Sequence, residues 1–521
     1  MTVAVHARYS APVGTPVYFG LALNAAGVHA TAARRAALEP GTFPDQPLQI
    51  ASAATPVGRM HASRTEFAPM KASKTIESGR KTDERAGGLP RIVVIGGGAG
   101  GLELVSRLGR RLGRRRRAHI TLIDASLTHL WKPLLHEVAA GTLDSYEDAL
   151  EYLAQARWRH FEFRLGRFEG LDRERKLVHL APTLDEDGEV IIPARTVPYD
   201  LLVIAIGSVT NDFGIPGVRE YCAFLDNREQ ADRFQQRLLA TYMRAQSQGV
   251  PPGSALLNVG IVGAGATGVE LAAELHHTAR QFVRYGFDRI EPERDVEITL
   301  IEAADRILPA LPKRIADRAA RELEKLNITI HTGKRVTRVT PNGLYMHDGT
   351  FVHAALKVWA AGIKAPDFLK DIGGLETNRL NQLVVRQTLQ TTRDDDIFAL
   401  GDCASCPRPG HDRPVPPTAQ AAHQQASLLA HSLERRLEGK PLPNYVYRDY
   451  GSLVSLSEYT TVGNLMGNLG GNIWLEGWIA RIVYRTLYRL HQRALYGSLR
   501  TFLLLVADWL TRPTEPRTKL H

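Results

Sequence analysis

Ile92-Val93-Val94-Ile95-Gly96-Gly97-Gly98-Ala99-Gly100-Gly101 is the stretch on which the fold turns. Four β-branched residues of buried-strand type run directly into a glycine-rich turn, and a helical pattern follows over 102–112. In such a strand-turn-helix Gly96 permits the tight turn, Gly98 lets backbone approach a pyrophosphate, and Gly101 lets helix and strand pack closely. The phosphate then sits at the helix N-terminus, where unpaired N–H groups favour an anion. The pattern returns further along: Val259-Gly260-Ile261-Val262 leads into Gly263-Ala264-Gly265-Ala266-Thr267-Gly268 and a helix expected over 269–282. Each copy is followed by a strand ending in an acid, Asp124 after 120–123 and Glu302 after 298–301. Such carboxylates accept hydrogen bonds from an adenosine ribose.

Around these two motifs the chain reads as α/β. Further apolar strand candidates at 201–206, 357–359 and 397–400 alternate with helical patterns, which predicts parallel sheets. With 521 residues, 44% of them hydrophobic and 23% charged, the chain is long enough for several cores, and disorder throughout is excluded. Residues 1–88, rich in Ala, Ser, Thr and Pro and without sustained periodicity, are expected to be a disordered tail. Three cysteines, Cys222, Cys403 and Cys406, are too few and odd in number for a secreted disulfide framework, which points to a reducing compartment. No uninterrupted apolar run reaches the length of a spanning helix.

Two dinucleotide sites suggest a bound flavin in one and a nicotinamide donor in the other. A third element, Ile397-Phe398-Ala399-Leu400-Gly401-Asp402, resembles the flavin-binding signature of the two-dinucleotide-binding flavoproteins, whose aspartate bonds the ribityl chain. It follows the second glycine loop, so the nicotinamide domain is expected as an insertion within the flavin domain. Glu302 should repel a 2′-phosphate and favour NADH over NADPH. Pro416-Pro417-Thr418 marks a helix start with Thr418 as N-cap, and Gln420 and Gln424, four apart, share one face of that helix. Cys403 and Cys406 have thioredoxin-like spacing, but directly after Asp402 they are expected to be structural thiols.

On these residues the chain resembles the type II NADH dehydrogenases, single-chain NADH:quinone oxidoreductases that do not pump protons. The likeness runs over 91–510. It includes Leu130-Trp131-Lys132-Pro133-Leu134-Leu135, Gly207, Trp359-Ala360-Ala361-Gly362, Tyr447-Arg448-Asp449-Tyr450-Gly451, and Ala419-Gln420-Ala421-Ala422-His423-Gln424, which fits the family's quinone-site pattern. The sequence departs from the family at Leu456-Ser457-Glu458, where a basic residue is usual, and in the first 88 residues. The resemblance implies FAD held by Gly96, Gly98, Gly101, Asp124, Lys132, Gly207, Asp402, Ala419 and Gln420. It implies NADH held by Gly263, Gly265, Gly268, Glu302 and Gly362, with Glu270 near the nicotinamide. Gln420 and Gln424 would position the quinone, and Glu270 or His423 would help deliver protons. No metal site is expected. The implied architecture is two Rossmann-like dinucleotide-binding domains: a discontinuous FAD domain (89–250 and 366–455), an inserted NADH domain (251–365), and a C-terminal membrane-anchoring region (456–521).

The net charge of +10 is carried by the ends. Residues 1–90 hold ten basic and six acidic residues, 478–521 hold eight and two, and the body between is neutral overall. Arg481, Arg485, Arg489 and Arg493 form one stripe among apolar neighbours, with Trp474, Trp478, Tyr484 and Tyr488 as interfacial residues and an apolar stretch over 499–510. This reads as an amphipathic helix lying on an anionic lipid surface, peripheral on the cytoplasmic face of a bacterial inner membrane. A second basic cluster, Arg107, Arg110, Arg111 and Arg114 to Arg117, ends the first glycine-loop helix and is expected to be a solvated terminus complementing the helix dipole. No nucleic-acid module is present in the pattern, and a homodimer is compatible with it. Two other readings stay open: a sulfide:quinone reductase, which needs reactive cysteines and no NADH site, and a flavin-bound NADH sensor without rapid turnover.

Overall fold

Strand β1 (Arg91–Ile95) forms where the β-branched run predicts it, with its last four side chains buried. It leads into α1 (Ala99–Leu108), and the helix expected over 102–112 then changes character, continuing as a π-helical turn, Gly109–Gly113. The widened turn lies against another backbone: a Cβ on Gly109 would stand 2.0 Å from the Arg159 carbonyl oxygen, and one on Gly113 2.2 Å from that of His160. The computed structural model describes residues 88–146, 149–251, 253–457, 459–466, 472–476, 489 and 492–511. The tail expected over 1–88 falls outside them except for Gly88, as do Trp478, Arg481, Tyr484, Arg485 and Tyr488.

The first unit continues with β2 (His119–Asp124), α2 (Leu135–Ala140), α3 (Tyr152–Arg159), β3 (Glu162–Leu165) and β4 (Leu201–Ile204). Helix α4 (Arg228–Gln248) precedes a second unit of the same design, comprising β5 (Val259–Val262), α5 (Ala266–Arg284), β6 (Ile298–Ile301), α6 (Lys313–Lys325), β7 (Thr329–His331) and β8 (Leu356–Trp359). The chain returns through β9 (Gln390–Thr391), β10 (Asp394–Ala399) and α7 (Ala419–Leu437). It closes with an antiparallel sheet of β11 (Gly451–Leu456), β12 (Thr460–Met466) and β13 (Asn472–Glu476), and with helix α8 (Ser498–Thr511).

Two parallel sheets organise these elements. The first has the order β9-β10-β4-β1-β2-β3, in which only β9 runs antiparallel, and Ile95 lies between Ile123 and Ile204. The second has the order β7-β6-β5-β8. Strands β4 and β10 are neighbours although the whole second sheet lies between them in sequence. Each sheet reverses direction of winding beside its first strand, between β1 and β4 and between β5 and β8. Such reversals open a crevice beyond the carboxyl ends of the strands. Both glycine loops leave from those ends, as do Gly207 after β4 and Gly362 after β8.

Two large apolar cores follow the two sheets. Val93, Leu122, Val203, Phe398 and Leu429 belong to the first, and Ile261, Val269, Leu300 and Val358 to the second. Helix α4 also packs in the second core through Phe234, Leu238, Tyr242 and Ala245, an apolar stripe at helical spacing. Val454 and Leu456 of β11 join them there. At the C-terminus, Trp474 lies on β13, which pairs antiparallel with β12 over 472–476. Gly497, with φ +85°, separates the helical residues 492–496 from α8, whose Leu499, Phe502, Leu503 and Leu510 are exposed.

Among the described glycines, the third of each loop leaves the least room for a Cβ. A Cβ on Gly101 would stand 1.9 Å from the Gly96 carbonyl oxygen, whereas one on Gly98 would meet nothing within 4 Å. Gly101→Ala is therefore expected to cost about 2 to 3 kcal/mol and lower the melting temperature by several degrees. Gly98→Ala should melt within about 1 °C of the parent protein. Calorimetry of both variants checks this, and equal melting temperatures would contradict it.

Candidate active site

The two glycine loops have the same construction. Gly96 and Gly263 adopt φ of +97° and +100°, the left-handed region that favours glycine. Gly98 and Gly265 occupy the N-cap positions of α1 and α5, neither of which has a side-chain cap. A helix start leaves up to four N–H groups without intrahelical partners. Open space lies over Gly98 and Gly265. Asp124 Oδ2 accepts from the Gly97 N–H at 2.6 Å and Oδ1 from the Ser126 N–H at 2.8 Å. Glu302 repeats this with the Ala264 and Ala304 N–H groups, at 2.8 and 2.9 Å. Burial pushes the Asp124 carboxyl above the usual range, and its backbone hydrogen bonds oppose the shift. Two uncapped helix starts, each beside an oriented carboxylate, fit two dinucleotides.

Three chain segments meet beyond the first loop. Asp402 stands on a 3₁₀ turn, Gly401–Cys403, just after β10. Its Oδ2 accepts from the Ser208 hydroxyl at 2.8 Å, and the Ser208 carbonyl accepts from Lys132 Nζ at 2.8 Å. Ser208 follows Gly207, where φ of +74° turns the chain out of β4. The fold thus brings Lys132, Gly207 and Asp402 together through Ser208, a residue the sequence reading passed over. Its one local signal is a hydroxyl directly after a glycine at a strand end. Gly362 occupies the corresponding place after β8, with φ of +66°, and a Cβ there would strike the Phe213 ring at 2.5 Å.

Helix α7 starts as predicted: Thr418 is its N-cap, accepting from the Ala421 N–H at 3.2 Å, and Ala419 is its first residue. Gln420 and Gln424 do share a face, and that face is covered by the segment 448–451. Gln420 Oε1 accepts from the Tyr450 N–H at 3.1 Å and its Nε2 donates to the Gly451 carbonyl at 3.3 Å. Gln424 donates to the Arg448 carbonyl at 2.7 Å and accepts from the Arg448 N–H at 3.0 Å. The two amides therefore act on this segment as a neighbouring strand would.

His423 points elsewhere. Its Nδ1 lies 2.5 Å from Oε2 of Glu103, a buried carboxylate on α1 that also accepts from Arg107 Nε at 2.7 Å. Glu103 was not singled out by sequence reading, because its histidine partner is 320 residues away. Glu270, in the opening turns of α5, accepts from the Ser455 N–H on β11 at 3.0 Å. Its Oε2 is 3.7 Å from His136 Nδ1, and burial holds that imidazole down to about 4, so at neutral pH a neutral ring faces the carboxylate. Strand β11 thus touches Gln420 at its first residue, Gly451, and Glu270 at Ser455. At about 3.3 Å per residue those contacts are separated by roughly 13 Å.

Cys403 and Cys406 are buried free thiols, and burial pushes both up to about 12. The Cys403 thiol donates to the Leu400 carbonyl at 3.3 Å. Protonated thiols sealed in the core are poor nucleophiles. A disulfide reductase instead needs an accessible thiolate.

Comparison with known proteins agrees with this geometry. Residues 90–426 match the pyridine nucleotide-disulphide oxidoreductase family. A type II NADH:quinone oxidoreductase of Haemophilus influenzae is 43% identical over 446 residues, covering 83% of this chain and all of that protein. One from Staphylococcus aureus is 28% identical over 381 residues, covering 72% of this chain and 89% of its own. Among solved structures, NDH2 from Plasmodium falciparum in complex with NADH superposes with a TM-score of 0.69 at 18% identity, covering 83% of this chain and 99% of that one. With both cradles built, the redox-thiol reading set aside and this likeness over nearly the whole of a relative, the chain belongs to the type II NADH:quinone oxidoreductases.

Proposed function

We propose that the protein oxidises NADH through bound FAD and reduces a membrane quinone without pumping protons. The observation that carries this is the duplicated cradle: two uncapped helix starts at the reversal points of two sheets, each with its carboxylate already oriented. FAD, when bound, supplies a two-electron carrier that accepts hydride and releases electrons to quinone.

The residues then divide the work. The open N–H groups behind Gly98 hold the FAD diphosphate, Asp124 its ribose, and the Lys132, Ser208 and Asp402 chain the stretch toward the ring. Gly265 and its helix start hold the NADH diphosphate, while Glu302 accepts from the ribose hydroxyls and repels a 2′-phosphate. Gly362 lets the chain turn away from the second crevice. Glu270, fixed by the Ser455 N–H, lines the nicotinamide side. Gln420 and Gln424 shape the quinone wall by holding 448–451 in place, and His423, set by its contact with Glu103, helps deliver protons at that end of α7. The division into a FAD domain (89–250 and 366–455) and an NADH domain (251–365) is supported by the pairing of β4 with β10, although α4 packs with the second core.

Quinones reside in lipid, and no described helix is long and apolar enough to cross a membrane. The exposed Leu499, Phe502, Leu503 and Leu510 of α8 are suited to lie in the interface, here of the cytoplasmic face of the inner membrane. A sulfide:quinone reductase is not favoured, since Cys222, Cys403 and Cys406 are all buried and each is pushed up to about 12.

Three outcomes follow for steady-state kinetics and membrane binding. Glu302→Ala should lower the preference for NADH over NADPH about tenfold, equivalent to ~1.4 kcal/mol; an unchanged ratio removes the 2′-phosphate argument. Gln420→Ala combined with Gln424→Ala should raise KM for a short-chain quinone roughly tenfold, because four hydrogen bonds that hold 448–451 are lost, while NADH still reduces the flavin at the parental rate. Unaltered quinone kinetics would assign the glutamines a different role. Removing 498–521 should release the protein into the supernatant with NADH-to-dye activity intact, and undiminished pelleting would exclude α8 as the anchor.

A further inference from the structure

The arginine cluster after α1 gains a neighbour in three dimensions that its sequence does not announce. Gly109 and Gly113 bring the π-helical turn against the carbonyls of Arg159 and His160, at the end of α3. Arg159 in turn donates to the Leu495 carbonyl, which ties α3 to the residues just before α8. In the first turn of α8, the Arg500 guanidinium stands 4.2 Å over the ring of Trp158, which is 47% exposed. Arg110, Arg159 and Arg500, from three separate elements, are thereby neighbours, with Arg114 and Arg115 exposed at the end of the same π-helical turn and the exposed apolar side chains of α8 following Arg500.

Their balance is unusual. Arg111 and Arg117 are paired with Glu434 and Glu438 at 2.9 and 3.0 Å, but Arg110, Arg114, Arg115, Arg159 and Arg500 have no carboxylate in ion-pair range among the described residues. Burial, Arg110 and Arg500 together hold the Arg159 guanidinium below its usual range, so Arg159 lies in the field of both other cations. Complementing the α1 dipole accounts for cations at the end of that helix. It does not account for Arg500, which lies at the start of α8, where the dipole disfavours a cation. An anion laid across the patch would relieve both the mutual repulsion and the misplaced charge. An exposed tryptophan beside a basic patch and an apolar helix face is an arrangement found at the headgroup level of a bilayer.

We propose that Arg110, Arg114, Arg115, Arg159 and Arg500 form a docking surface for anionic phospholipid headgroups, so that the first dinucleotide unit itself rests on the bilayer beside α8. This rests on the peripheral-membrane reading above and adds to it a lipid preference and a second point of contact. Juxtamembrane cations of this kind attract an anionic leaflet and are screened by salt.

The test is sedimentation of the full-length holoprotein with vesicles of phosphatidylcholine alone and of phosphatidylcholine mixed with phosphatidylglycerol. The parent protein should favour the mixed vesicles, and the preference should fade as salt is raised. The triple variant Arg110→Gln, Arg114→Gln, Arg115→Gln should partition roughly tenfold less onto mixed vesicles. It should bind phosphatidylcholine and reduce dye with NADH as the parent does. The corresponding triple Lys variant should retain the preference, which separates charge from a packing defect. Equal partitioning of the Gln variant and the parent onto mixed vesicles would overturn the proposal while leaving the α8 anchor standing. Parent protein that bound neither vesicle would overturn both readings. Capture of a duplex oligonucleotide through these arginines without any lipid preference would also overturn it, in favour of nucleic acid.

Discussion

Unpaired N–H groups at the starts of α1 and α5 are the constraint around which the molecule is arranged. A helix ordinarily has a side chain to cap its first turn, and here both caps are glycine with open space above them. The turn that leaves them open requires left-handed backbone at Gly96 and Gly263 and near-contact of backbone at Gly101 and Gly268. The adjoining strands hold each turn in the same way: Gly96 donates to the Ile123 carbonyl and Gly263 to that of Ile301, both at 2.8 Å. Asp124 and Glu302 then bind the next residue of each loop. One solution to anion binding has been built twice in the same chain.

The two solutions become one reaction path because of the chain's route. Inserting the second sheet between β4 and β10 leaves Gly207, Asp402 and the start of α7 on the first sheet's crevice while the second crevice is supplied by the insertion. Strand β11 then contacts both sides, meeting Gln420 at Gly451 and Glu270 at Ser455, and burying Val454 and Leu456 in the second core. A change at Glu270 therefore has a short covalent path to Gln420. Along this route His136 is neutral beside Glu270, and the buried thiols are protonated.

What the sequence made legible was local. Strand-turn-helix units, their terminal acids and the Thr418 cap all depend on residues within a few dozen positions, and each was found where periodicity and glycine spacing placed it. What escaped depends on distant partners. Ser208 matters because it meets Asp402 194 residues away, and Glu103 because it meets His423. The π-helical turn is fixed by the backbone of α3, and the two glutamines hold a segment of chain that their helical spacing could not reveal. The basic cluster after α1 is exposed, as a solvated helix end would be, and its nearness to α3 through Gly109 and Gly113 could not be read from the sequence. Family likeness supplied roles for residues such as Lys132 and Gly362 that spacing alone would have left blank.

The central claim is that the two cradles act in series through one flavin. Anaerobic rapid mixing of the purified holoprotein tests it most directly, with NADH in the first push and a short-chain quinone in the second. NADH should bleach the flavin absorbance in a single two-electron phase, and quinone should restore it in a separate step at a rate sufficient for turnover. Flavin that stays oxidised in the presence of NADH, or that is bleached and then ignores quinone, would contradict it.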